Sequence, residues 1–173
     1  EGCFFQGGKM SLHLLPAVIN SGIQSVLRCM HLNETNPRMQ YMGCWALVNM
    51  ALQPAHKEAL LKAGAIDAIL QSMNAHETNG QIQFRALFAL INLVTISPST
   101  GTVNSNVATE RVIDTVVGVM NSFVRVHDVT DRGCMVLYNL SLDGTYTIIS
   151  SQIHPLGARC GTRRCFPSSR SCC

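Results

Sequence analysis

The chain has 173 residues, 47% of them hydrophobic and only 13% charged, against roughly 25% charged in an average globular protein. That is length for one core-bearing domain. Nine Lys/Arg stand against ten Asp/Glu up to residue 153, so no body-wide basic patch argues for nucleic acid as a partner. No apolar run reaches 18 residues and no signal peptide is read at the start, so neither a membrane span nor secretion is expected.

Taken in chain order, the first expected helix runs from Leu12 to Asn20 and ends in a tight turn at Gly22. Ile23, Val26, Leu27 and Met30 follow at i, i+3, i+4, i+7, the apolar stripe of a second helix. A third begins at Pro37, a residue suited to the first helical position, with Asn36 as its N-cap. Leu47, Met50 and Ala51 are its core positions. The series then starts again: a helix from Ala55 to Ala63, a turn at Gly64, and the stripe Ile66, Ile69, Leu70, Met73. Asn79-Gly80 opens the next helix, whose core positions are Leu90, Leu93 and Val94. Residues 95–109 are rich in Ser, Thr, Asn and Gly and read as a loop. The stripe returns as Ile113, Val116, Val117 and Met120, and Asp128 is the expected cap of the helix after it.

These restarts are an internal repeat. Residues 23–50 match 66–93 without a gap in ten of 28 positions, where average usage gives roughly two. Residues 66–93 match 113–140 in eight of 28. Three Asn residues mark the register: Asn49, Asn92 and Asn139 each end an apolar run, Trp45–Val48, Phe88–Ile91 and Met135–Tyr138. A repeat of this length denotes an all-α fold, a helical solenoid. Its units are placed at about 10–53, 54–97 and 98–143, with a partial fourth from 144. Solenoids need polar end caps, and neither end reads as one. Apolar end faces, such as that around Leu14, Leu15 and Val18, then require further repeats or allow self-association.

Lys57-Glu58-Ala59-Leu60, Ala63-Gly64-Ala65-Ile66 and Trp45-Ala46-Leu47-Val48-Asn49 together resemble armadillo repeats of the importin-alpha and beta-catenin type, over residues 10–153. The resemblance implies a right-handed superhelix whose third helices line a concave groove for extended peptides. It also implies that Asn49, Asn92 and Asn139 hold a peptide backbone. In the importin-alpha branch a Trp four residues before the Asn packs the peptide's basic side chains. Trp45 matches that pattern, whereas the later positions are Phe88 and Met135.

An Asn amide has two donors and two acceptors, so it can pair with both the N–H and the C=O of an extended chain. The competing role is to tie neighbouring helices together. Neighbours at helical spacing complete the candidate face: Tyr41 and Met42 in the first unit, Phe84 and Arg85 in the second, Arg132 in the third. Acids there are few, Asp128 and Asp131. A groove for basic peptides should carry carboxylates. This pattern instead favours an acidic or neutral segment, unless Arg132 pairs with Asp128 one turn away.

Cys3, Cys29, Cys44 and Cys134 lie in apolar segments and read as buried, reduced thiols. Cys160, Cys165, Cys172 and Cys173 crowd an Arg-rich tail, 154–173, with no zinc spacing and no hydrophobic period, and the tail is expected to be disordered. The repeated Glu-Thr-Asn near His31 and His76 suits turn and capping chemistry better than a metal site. With no phosphate loop, nucleophile elbow or paired acids, no catalytic residues, cofactor or metal are expected. The expectation is a non-enzymatic cytoplasmic or nuclear scaffold. Its rivals are a nuclear-import adaptor, a structural spacer, and the substrate-binding arm of a larger assembly such as a ubiquitin ligase.

Overall fold

The computed structural model describes residues 15–94 and 109–142. They form seven helices and no strand: α1 Leu15–Leu32, α2 Pro37–Ala51, α3 Pro54–Lys62, α4 Ala65–Ala75, α5 Gly80–Leu93, α6 Thr109–Ser122 and α7 His127–Ser141. Helices α1, α4 and α6 form one layer and α2, α5 and α7 a second, with each member packed on its sequence partner and on its neighbours in the layer. The short α3 bridges α1, α2 and α4. The arrangement is all-helical and repeat-like. No helix among the described residues is long and apolar enough to cross a membrane. The expected loop lies, but for its last residue, outside the described residues. So do the partial fourth unit, the Cys-rich tail, Leu14 and Cys3.

The apolar stripes are the core. Ile66, Ile69, Leu70 and Met73 are all buried, as are Ile23, Leu27 and Met30 and, in the third unit, Ile113 and Val116. Leu47, Ala51, Leu90, Leu93 and Val94 close the same cluster from the other layer, and Met50 packs on it half-buried. In the first and third units the Met of the stripe lies over a glycine of the following helix. A Cβ at Gly43 would come within 2.4 Å of the Met30 side chain, and one at Gly133 within 2.5 Å of Met120. Ala86 holds that register position in the second unit and is fully buried.

Capping separates the units. Asn36 accepts from the backbone N–H of Arg38 and Met39, and Asn79 from Gln81 and Ile82, so α2 and α5 start as expected. The third unit corrects the expectation. Val126 sits at the N-cap of α7 and Asp128 lies inside the first turn, where its charge meets the helix dipole without capping a backbone donor.

A second correction concerns Gly22. Gly64 adopts φ 83 and breaks α3 from α4. Gly22 is continuous helix inside α1, and the expected break after Asn20 is absent. The residue in register with Gly64 is Ser21, whose Cβ disfavours the left-handed backbone that this turn needs. The chain stays helical there, with Ser25 Oγ donating to the Ser21 carbonyl at 2.9 Å.

Candidate functional site

Helices α2, α5 and α7 stand side by side, so matched positions fall into rows across the repeat. Tyr41 and Trp45 are one turn apart on α2, with ring centroids 5.8 Å apart and planes at 82°, an edge-to-face pair. Arg85 of α5 reaches back over them. Its guanidinium carbon lies 4.2 Å from the Trp45 centroid and 5.4 Å from that of Tyr41. Its Nε and one Nη donate to the Tyr41 hydroxyl at 3.2 and 3.1 Å.

The next unit repeats the construction. Arg132 of α7 reaches back over Phe84 and Phe88 of α5, 4.1 Å from each ring centroid. Phe84 and Phe88 are the counterparts of Tyr41 and Trp45. Each stack is therefore an arginine of one unit lying on the aromatic pair of the unit before it. Phe84 links the two stacks, since Arg85 also lies 5.5 Å from its ring. Phenylalanine has no hydroxyl, and Arg132 accordingly gains ring contact without the hydrogen bonds that Arg85 has. Its Nε is buried with no hydrogen-bond partner.

Burial, then repulsion from Arg85, push the Arg132 pKa below its usual value, and Asp128 partly offsets this through space. Asp128 forms no ion pair with Arg132, so the pairing considered from the sequence is not made. The shift is a reduction in a strong base, and the group remains charged at neutral pH.

The predicted residues divide as follows. Tyr41, Trp45, Phe84, Arg85, Phe88 and Arg132 come together in the stacked row. Trp45 keeps 39% of its surface exposed, and the other five are half-buried. Met42 and Met135 are exposed outside the stacks. Met42 lines an apolar cleft with Val26, Cys29, Met39 and Ala46 on the leading edge of the first unit. Its register partner is Arg85, which there has a preceding aromatic pair to cover.

The Asn residues are not equivalent. Asn49 is exposed and makes no hydrogen bond to another described residue, whereas Asn92 and Asn139 are half-buried. Asn139 Nδ2 donates to the Ile91 carbonyl at 3.2 Å, tying α7 to the end of α5. In the third unit one amide donor is thus already committed to packing.

Two buried glutamines were missed as functional parts of the frame. Gln40 Nε2 donates to the Met30 and Asn33 carbonyls at 2.7 and 2.9 Å. Gln83 Nε2 does the same with Met73 and His76, at 2.8 and 3.0 Å. Each closes the carboxyl end of the preceding helix, whose last carbonyls have no intrahelical donor. The signal was present: Gln at an otherwise apolar register position, identical in two copies. The third copy has Thr130, which bonds only within its own helix.

The Glu-Thr-Asn segments behave as turn chemistry. Besides the Asn caps, Glu34 accepts from Gln71 Nε2 at 2.7 Å and contacts His31 Nδ1 at 2.8 Å. His76 Nε2 donates to the Glu34 carbonyl at 2.8 Å, joining the first two units.

The thiols need one correction. Cys44 is buried, and desolvation pushes its pKa up to about 11, with the Ser72 hydroxyl 3.8 Å away acting in the opposite sense. Cys29 is exposed and Cys134 half-buried. Cys29 is in register with Ser72, which is buried beneath α2, whereas no described unit precedes Cys29 to cover it.

Comparison with protein-family models, with curated proteins and with solved structures finds no match. Fold and site together define a helical repeat-like protein that carries a row of arginine–aromatic stacks on one layer.

Proposed function

We propose that the repeats are armadillo-like units of a right-handed superhelix, and that the α2–α5–α7 layer binds an extended peptide as a non-enzymatic interaction scaffold. The observation that carries this reading is the row itself. Half-exposed aromatic and guanidinium groups recur in register on the third helix of successive units. Buried core packing does not need them there, and such side chains anchor interfaces. Asn49 offers an exposed amide one helical turn after Trp45, with donors and acceptors that suit a peptide backbone. The cytoplasm or nucleus is the expected location.

The experiment is a peptide-array screen on the full chain, with acidic, neutral and basic segments, run beside Asn49→Ala. Asn49 is exposed, so its loss should leave the thermal midpoint unchanged while weakening a peptide hit. A folded chain that binds no peptide overturns the reading.

A structural spacer is the second reading, favoured by the Asn139 bond to Ile91, which uses a ladder position for packing. It predicts that Asn139→Ala lowers stability and changes no ligand affinity.

A further inference from the structure

The two arginines decide what the row can accept. A cationic side chain seeks the face of an aromatic ring. Here the faces are filled from within, Trp45 by Arg85 at 4.2 Å and Phe84 with Phe88 by Arg132 at 4.1 Å. A lysine or arginine arriving on this surface meets occupied rings and two like charges. Neither arginine forms an ion pair with a described carboxylate. The two are close enough for Arg85 to depress the Arg132 pKa.

Their donors are also underused. A guanidinium carries five N–H groups and no acceptor. Arg85 directs Nε and one Nη to the Tyr41 hydroxyl, and Arg132 Nε has no hydrogen-bond partner. Stacking fixes the plane of each group, which lowers the entropic cost of recruiting its remaining Nη donors. A carboxylate is the complementary shape and charge, because it accepts two parallel N–H bonds from such a fork. The first unit marks the limit of the device, since Met42 occupies the arginine register there.

We propose that Arg85 and Arg132 form an anion-binding site that selects an acidic extended segment and rejects a basic one. This rests on the peptide-binding reading above and adds the chemistry of the ligand.

The test is fluorescence anisotropy on the full chain. The labelled peptides are about ten residues long, roughly 33 Å when extended, and alternate Ser with Glu, Asn, Lys or phosphoserine. The expected order is Glu over Asn over Lys, with a Glu preference that shrinks as salt is added. Arg85→Met/Arg132→Met places the first unit's residue at both positions. It should weaken the Glu peptide by roughly ten- to a hundredfold, the worth of one or two charge-assisted hydrogen bonds. It should also strengthen the Lys peptide, because the rings are then open.

A Lys peptide that binds native protein as tightly as the Glu peptide overturns the proposal. So does a Glu preference that survives the double variant, or an oligothymidine bound more tightly than any peptide. Tighter binding of the phosphoserine peptide than the Glu peptide supports the site and makes phosphate its anion. Equal binding of all peptides removes this inference and leaves the groove; binding of none removes both. Circular dichroism checks folding of the Met variant. Should it unfold, Arg85→Lys/Arg132→Lys decides: it keeps the charge but loses the fork, and an unchanged Glu-peptide affinity refutes the site.

Discussion

The first two units and the third hold the same helix pair together by different means. In the first two, an Asn caps the outer helix, and a buried Gln from that helix closes the end of the inner one. In the third, Val126 and Thr130 stand at those positions and neither bond is made. The apolar stripe and its Met recur in all three, and the Met lies over a Gly in the first and third. Burial therefore defines the unit, and polar closure is a local addition. The amide donors close helix ends while Gln83 Oε1 itself stays buried without a hydrogen-bond partner, and a unit can do without the amide when an apolar or short polar side chain takes the place.

The largest expected effect tests burial. Leu90 is fully buried in the middle helix of its layer, so Leu90→Ala should cost about 2–5 kcal/mol in urea unfolding. Leu137, its counterpart in the third unit, is 4% exposed and should fall at the lower end of that range. Equal costs would mean that the third unit is packed as tightly as the second.

Alkaline unfolding tests the junction of the first two units, where Cys44 meets Ser72. The folded pKa of Cys44 is raised from 9.0 to about 11. Neutral thiol is thus favoured in the fold. Its contribution is fully present below pH 9, and is lost as pH rises from 9 to 11, because the unfolded chain ionises first. Two pH units amount to about 2.7 kcal/mol of stability. Cys44→Ala should flatten the urea midpoint between those pH values, and an unchanged slope would refute the assignment. In the folded protein, exposed Cys29 should alkylate well before Cys44.

The polar closures come next. Gln83→Ala strips one buried and one part-buried carbonyl of their donor and should cost about 1–3 kcal/mol. Thr130→Ala, which removes only bonds within a helix turn, should stay within about 0.5 kcal/mol. A Gln83→Ala cost as small as that of Thr130→Ala would show the glutamines to be passive.

The smallest effect runs the other way. Val126→Asn restores the cap that the third unit lacks and should raise stability by about 0.5–1 kcal/mol, whereas Asn79→Ala should lower it by about 1 kcal/mol. A destabilised Val126→Asn would mean that the Val126 side chain contributes more by packing than a cap would.

Much of the frame is legible in the amino-acid sequence. The i, i+3, i+4, i+7 stripes mark α4, α6 and the second half of α1, and Asn36-Pro37 and Asn79-Gly80 mark the starts of α2 and α5. Gly22 and Asp128 misled for one reason. Residue type announces a turn or a cap, but register decides it: Gly22 lies one position away from the residue that would need positive φ, and Asp128 lies two beyond the cap.

The candidate face divides along the same line. Sequence by itself determined the helical class, the repeat register, the core stripes and the side chains that share the outer row, because apolar periodicity and identity at a fixed offset are properties of the chain. Tertiary structure alone decided that Arg85 and Arg132 reach back onto the aromatic pairs of the preceding unit, at 4.2 and 4.1 Å. It alone decided that Asn139 turns to Ile91 and that Cys29 is exposed where Cys44 is buried. Those outcomes depend on distances between residues some 40 positions apart in the chain, set by how one unit stacks on the next, and no local pattern encodes them.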